Sequence, residues 1–216
     1  MSQQQKALIL ASGSPRRAEI LSEAGIEHVV VPAEVDEDAI LAQGGVLTEL
    51  VEKLALAKAT AVAVIEQGKH VLGADTIVVL DGMVLGKPAS ESQAVQMLNE
   101  LGGRSHEVVT GVAVVDSDLD SYVGHVSTTV VFRELSDGEI AEYVSSGSPF
   151  DKAGGYGIQD HSFNPVASYD DCYLNVVGLP MCATSELLGR SGLLKSGGIF
   201  CPGHAGFDTA ETGSLR

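Results

Sequence analysis

The stretch LILASGSPRRAEIL, Leu8–Leu21, decides how the chain begins to fold. Its apolar run, bounded by Ser12-Gly13-Ser14, reads as a buried strand over Lys6–Ala11. Ser14 is a good N-cap and Pro15 suits the first helical position, so a helix is expected over Pro15–Ala24, ended by Gly25. Arg16 and Arg17 then fall in the first helical turn, where the macrodipole disfavours cations. Small residues, hydroxyls, open backbone N–H groups and two guanidiniums together suit a multiply charged anion such as phosphate. The same residues also fit a capped helix whose arginines reach into solvent. The spacing of a P-loop is absent.

Outward from this turn, His28–Val31 is a second short strand, and PAEVDEDAI (Pro32–Ile40) reads as a loop. Thr48 to about Gln67 is the longest helical stretch, with Leu50, Val51, Leu54, Leu56, Ala57 and Ala61 on its apolar side and Gly68 as C-cap. HVLGADTIVVLDGMVLGKP is strand-rich, and its Asp81-Gly82 pair signals a hairpin. Ser90 with Gln93, and Ser136 with Glu139, are capping-box patterns that open two more helices, ending near Leu101 and Gly147. SHEVVTGVAVVD and SYVGHVSTTVVF are long strands joined through SDLD. SGSPFDKAGGYGIQ is a glycine-rich loop, CYLNVVGLP reads as a strand, and a last helix is expected near Met181–Leu188. Strands alternating with helices, with two hairpins, argue an α/β fold with a mixed sheet. Residues 191–216 form a Gly- and Ser-rich tail expected to be loosely ordered.

The totals narrow the function. With 216 residues, 44% of them hydrophobic, the chain holds a sizeable core, aliphatic because it has no Trp and only five Phe and five Tyr. A net charge of −16 argues against a nucleic acid polymer as partner, though a local basic pocket still admits a small anion. No run approaches the roughly 20 apolar residues of a membrane span, and the N-terminal run is too short for a signal-peptide core, so a cytoplasmic protein is expected. Cys172, Cys182, Cys201 and His204 lack the paired spacing of a zinc site, and three cysteines do not make a disulfide framework. A G-x-S-x-G motif is absent.

Several residues stand out chemically. Asp75 of GADT lies inside an apolar run, so it needs hydrogen bonds, a cation or a metal unless it faces solvent. Such a carboxylate can bind Mg²⁺ or take a proton from water. Glu37 in EVDED offers hard oxygens for a metal, or belongs to a solvated acidic loop. Lys58 sits on a helix, where lysines usually face solvent. Lys87 in LGKP follows a strand, which favours a phosphate contact. The loop Asp151–Gln159 either turns freely or closes on a ligand, with the Gln159 carboxamide matching a pyrimidine edge.

Taken together, LASGSPRRAEIL, VDE before a helix with LALAKA, GADTIVVLDGMVLGKP, GGRSHEVVTGVAV, SPFDKAGGYGIQ and NVVGLP occur in an order that resembles the Maf family of nucleoside triphosphate pyrophosphatases. The resemblance covers roughly residues 7–188. It implies an elongated fold of two lobes, related to inosine triphosphate pyrophosphatases, with nucleotide in the cleft between them and residues 1–190 as the domain. It implies hydrolysis of a nucleoside triphosphate to monophosphate and pyrophosphate with a divalent cation, Mg²⁺ or Mn²⁺, and a possible homodimer. Asp75 matches the family's proton acceptor, and Glu37, Lys58 and Lys87 the rest of its catalytic set, with Glu37 and Asp75 as metal ligands. Ser12 and Arg17 match phosphate contacts. Arg16, Thr76 and Gln159 match the specificity set of the branch that prefers dTTP and UTP. Alternatives within the resemblance are modified nucleotides (5-methyl-UTP, pseudo-UTP, 7-methyl-GTP) or a non-catalytic nucleotide-binding regulator of septum formation. The tryptophan of the 7-methyl-GTP branch is absent. After Gln159 the chain reads DHSFNPVASYDDCYLNVVGLP and departs from the family's glycine-rich link.

Overall fold

The structure, a computed structural model, describes residues 8–194. The start of the expected first strand at Lys6, most of the tail, and Cys201 and His204 lie outside the described residues. The opening unit forms as the sequence demands. Strand β1 (Leu8–Leu10) leads into helix α1 (Pro15–Glu23), and Gly25 at φ 71° turns the chain into β2 (His28–Val30). There follow α2 (Glu37–Leu41), α3 (Leu47–Ala63), β3 (His70–Leu80), β4 (Met83–Leu85), α4 (Glu91–Leu101), β5 (Ser105–Val115), β6 (Ser121–Phe132) and α5 (Asp137–Ser145). The chain ends its described part with β7 (Val166–Tyr169), α6 (Tyr173–Val177) and α7 (Met181–Arg190).

The strands form one mixed sheet in the order β2-β1-β3-β5-β6-β7, with β4 beside β3. The first three spatial neighbours run parallel and the other pairs antiparallel. Asp81 and Gly82 both take positive φ, as the tight hairpin between β3 and β4 requires. Among the described residues, no helix is long and apolar enough to cross a membrane.

Two expectations fail for identifiable reasons. The acidic run is not all loop, because Asp36 caps α2 by accepting from the Ala39 amide at 2.9 Å, and Glu37 and Asp38 sit in its first turn, where negative charge is favoured. CYLNVVGLP is not a strand. Its apolar residues form the short helix α6, while the strand that completes the sheet is β7, which apolar periodicity did not reveal. Three caps also differ in detail. Helix α3 ends at Ala63 with Val64 as its C-cap, short of the expected Gly68. Ser14 occupies the N-cap of α1 without capping it through its side chain. Ser90 accepts from the Gln93 amide, but Gln93 Oε1 accepts from the Ala89 amide rather than closing a box.

Alternation along each strand sorts the core onto two faces. Ile9, Val71, Ala113 and Val115 pack against Ala55, Ala59 and Val62 of α3. On the other face Leu10, Leu72, Ala74, Val112 and Val126 pack with α1 and α7, while Val78, Val108 and Val130 pack with α4 and α5. Between these two clusters each long strand places one threonine: Thr76 between Ala74 and Val78, Thr110 between Val108 and Val112, Thr128 between Val126 and Val130. A polar seam thus divides this face of the core.

The backbones of α3 and the sheet nearly touch. A Cβ on Gly73 would lie 2.2 Å from the Ala55 carbonyl oxygen, and one on Gly111 would lie 2.3 Å from that of Val51. No side chain fits at either position, which explains the glycines in GADT and VTGVAV.

Candidate active site

The pairing of β3 leaves a notch. One edge pairs with β5 from Val71 to Val79. The other pairs with β1 only at His70–Leu72 and with β4 only at Val78–Leu80. Gly73–Ile77 therefore has no strand on that edge, and Asp75 and Thr76 lie at its centre. The strand β1 is parallel to β3 and β4 antiparallel to it, so both run toward the notch and leave the sheet there. The segments they release, SGSPRR and GKP, flank it.

Around the notch is a cavity of about 450 Å³, lined by Arg16, Arg17, Glu37, Lys58, Asp75, Thr76, Lys87 and Gln159, among others. A smaller adjoining cavity of about 310 Å³ adds Ser12 and Gly13. The fold thus brings together all nine residues singled out from the sequence, drawn from six separate segments.

On the α3 face, Asp75 meets Lys58. Lys58 Nζ lies 2.5 Å from Asp75 Oδ1 and 2.8 Å from Glu37 Oε1. Lys58 is buried, unlike most helical lysines, because α3 sits directly on Gly73 and Gly111 and brings its stem to Asp75. One ammonium thereby aligns two carboxylates, and each keeps a second oxygen. Among the described residues, no group of three or more His, Cys, Asp or Glu side chains is arranged to hold a metal ion.

On the opposite face, Arg17 is buried with neutral partners. Its Nε donates to the Gly178 carbonyl at 2.8 Å, Nη1 to Ser12 Oγ at 2.9 Å and Nη2 to Thr76 Oγ1 at 3.1 Å. Ser12 Oγ also accepts from the Ser14 amide at 3.2 Å. Among the described residues, no carboxylate reaches Arg17 at ion-pair distance. Burial pushes its pKa below the ordinary value; Asp75 opposes that shift and neighbouring Arg16 adds to it. A buried cation with neutral partners calls for an anion.

Arg16 points elsewhere. Its Nη1 lies 2.8 Å from Asp151 Oδ2, and Lys152 Nζ lies 2.8 Å from Asp151 Oδ1. Burial alone would raise the Asp151 pKa, but the hydrogen bonds from Lys152 and Arg16 outweigh it and hold the carboxyl below its usual range. Lys152 also donates to the Ser148 carbonyl at 2.6 Å. Lys87 is exposed at the cavity rim, and among the described residues no carboxylate partners its ammonium. Sequence reasoning missed Asp151, Lys152, Thr110, Asn175 and Gly178. The available signals were the charged pair within a glycine-rich loop and single threonines interrupting apolar strands.

Comparison with known proteins shows what the chain is similar to. The Maf-like protein family profile matches residues 7–191. A dTTP/UTP pyrophosphatase of Symbiobacterium thermophilum is 53% identical over 86% of this chain and 94% of its own. One of Geotalea uraniireducens is 46% identical over 90% of this chain and all of its own. Among solved structures, the Staphylococcus aureus Ham1 protein covers 74% of this chain and 80% of its own, at 17% identity and a TM-score of 0.45. With its motifs gathered on one notch and its sequence matched over nearly the whole described fold, this chain belongs to the Maf family.

Proposed function

We propose that this chain hydrolyses UTP and dTTP to the monophosphate and pyrophosphate. The observation that carries the reading is Arg17, a buried guanidinium with only neutral partners, opening on the same cavity as the Asp75–Lys58–Glu37 cluster. The names of relatives at 46–53% identity support the substrate pair.

In this reading the triphosphate lies along the notch. Arg17, Ser12 and the open first turn of α1 bind phosphate oxygens, and exposed Lys87 meets the outer phosphates. Asp75 accepts the proton of a water that attacks the α-phosphorus. The bond from that phosphorus to the bridging oxygen breaks, and pyrophosphate leaves against Arg17 and Lys87. Lys58 holds Asp75 and Glu37 in register. The two carboxylates fit Mg²⁺ or Mn²⁺, because such ions take one or two protein carboxylates and complete their shell with water and substrate phosphates. When bound, the ion would neutralise phosphate charge. UTP and dTTP are cytoplasmic metabolites, so the reading places the protein there. Residues 1–190 form the catalytic domain, with the nucleotide between the end of the sheet that carries α1 and α7 and the end that carries α4 and α5.

The direct test is pyrophosphate release from a panel of natural and modified triphosphates, with and without Mg²⁺. Release from UTP and dTTP is expected. Tight UTP binding without release would instead support a non-catalytic binder, and orthophosphate as product would overturn the chemistry.

Arg16 and Gln159 line the same cavity, Arg16 held by Asp151 rather than by the Asp75 cluster, and both are assigned to the base. Gln159→Ala is expected to lower kcat/KM for UTP and dTTP by about tenfold, the worth of one or two hydrogen bonds, while inorganic pyrophosphate binds as before. An equal loss across every triphosphate would remove Gln159 from base recognition.

A further inference from the structure

The segment Asn175–Pro180, NVVGLP, has no part in the chemistry above. Yet it grips Arg17 from two directions. Directly, the Gly178 carbonyl accepts from Arg17 Nε at 2.8 Å. Indirectly, Arg17 Nη2 donates to Thr76 Oγ1 at 3.1 Å, Thr76 Oγ1 lies 2.9 Å from Thr110 Oγ1, and Thr110 Oγ1 lies 3.0 Å from the Asn175 carbonyl oxygen.

The far end fixes the direction of this relay. A carbonyl oxygen only accepts, so the Thr110 hydroxyl donates to Asn175. Thr110 can then only accept from Thr76, whose lone pairs are left for Arg17. Asn175 is fully buried, and its Nδ2 donates to the Val108 carbonyl at 2.8 Å and to Thr128 Oγ1 at 2.9 Å. The anchor is therefore tied to β5 and β6. Gly178 stands at φ 120°, and a Cβ there would come within 3.3 Å of Thr76 Oγ1 and 3.7 Å of Arg17 Nε.

We propose that Thr110 and Asn175 are positioning residues that aim the Arg17 guanidinium at the phosphate site. The proposal rests on the reading of Arg17 as a phosphate contact. Five N–H donors form the rigid fork of an arginine, and Ser12, Thr76 and Gly178 engage three. Two remain for the ligand. Neutral acceptors orient the fork without cancelling its charge, whereas a carboxylate would compete with the phosphate. Removing the Thr110 hydroxyl leaves the Thr76 O–H without its buried acceptor. Thr76 then rotates to find another, and its lone pairs leave Arg17.

The test measures binding of inorganic pyrophosphate to the full chain by calorimetry in Mg²⁺, beside UTP turnover. Thr110→Val is expected to weaken pyrophosphate about tenfold, as losing one hydrogen bond to a charged group does, and to lower kcat for UTP by a similar factor. Thr110→Ser restores both to within about twofold because the hydroxyl returns. Val114→Ala, on the same strand, lowers the melting temperature without moving pyrophosphate affinity, which separates positioning from general destabilisation. Thr110→Ala serves if the valine variant does not fold. Arg17→Lys checks the underlying reading. If Arg17→Lys leaves pyrophosphate binding unchanged, the phosphate role of Arg17 falls and the proposal falls with it. If Arg17→Lys weakens binding while Thr110→Val and Thr110→Ala bind like wild type, the positioning role alone is overturned.

Discussion

Asp75→Asn is expected to lower UTP hydrolysis by about a hundredfold to ten-thousandfold, the usual worth of a general base, while leaving the fold in place. The change removes one charge and almost no volume. The amide oxygen of the substituted side chain can still accept from Lys58 Nζ, and Lys58 keeps Glu37 at 2.8 Å. What disappears is the basic oxygen facing the notch and half of the paired carboxylates offered to a divalent cation. UTP binding, assigned above by proposal to Arg17, Ser12 and Lys87, should change far less than turnover. Steady-state kinetics at several Mg²⁺ concentrations read both effects. Turnover near wild type with an unchanged metal dependence would take Asp75 out of the chemistry.

Gly73→Ala should have the largest effect on stability. The added Cβ would lie 2.2 Å from the Ala55 carbonyl oxygen and 2.8 Å from the Ala59 amide nitrogen, both backbone atoms of α3. No rotamer relieves such a contact, so the helix must lift off the sheet. Overpacking of this kind costs about 3 kcal/mol, at the upper end of its usual range. For a chain of this size that lowers the melting temperature by roughly 6–12 °C. Lifting α3 also carries Lys58 away from Asp75, so activity falls even at temperatures where the variant is folded. Gly189→Ala is the matched control: nothing lies within 4 Å of its Cβ position, and the helix α7 should gain stability. A Gly73→Ala melt close to wild type would show that α3 does not sit on the strand as described.

These consequences show where the sequence was legible. The strand, turn and helix of LILASGSPRRAEIL could be read because each residue choice is local: an apolar run, small turn residues and Pro at the first helical position. The Asp81-Gly82 hairpin was legible for the same reason. Long-range facts were not. That Lys58 of α3 is buried follows from glycines on two strands, Gly73 of β3 and Gly111 of β5, and nothing local to Lys58 announces it. The α6 helix was misread because Tyr173–Val177 is too short to carry a period that separates a helix from a strand. The acidic run was read for charge, whereas Asp36 uses its carboxylate as a cap. The polar seam was invisible residue by residue. Thr76, Thr110 and Thr128 become one feature only when the register aligns β3, β5 and β6. The ordered motifs pick out nine residues that the fold gathers on one cavity and the smaller one adjoining it. The reason they converge, a notch left between β1 and β4 on one edge of β3, needed the pairing.

In the proposed reaction, water attacks the α-phosphorus of a pyrimidine triphosphate held in this notch. Hydrolysis of UTP in ¹⁸O-labelled water, with the products identified by mass spectrometry, tests it most directly. UMP and pyrophosphate are expected, with the label in UMP. Label in pyrophosphate, or products of UDP and orthophosphate, would contradict it.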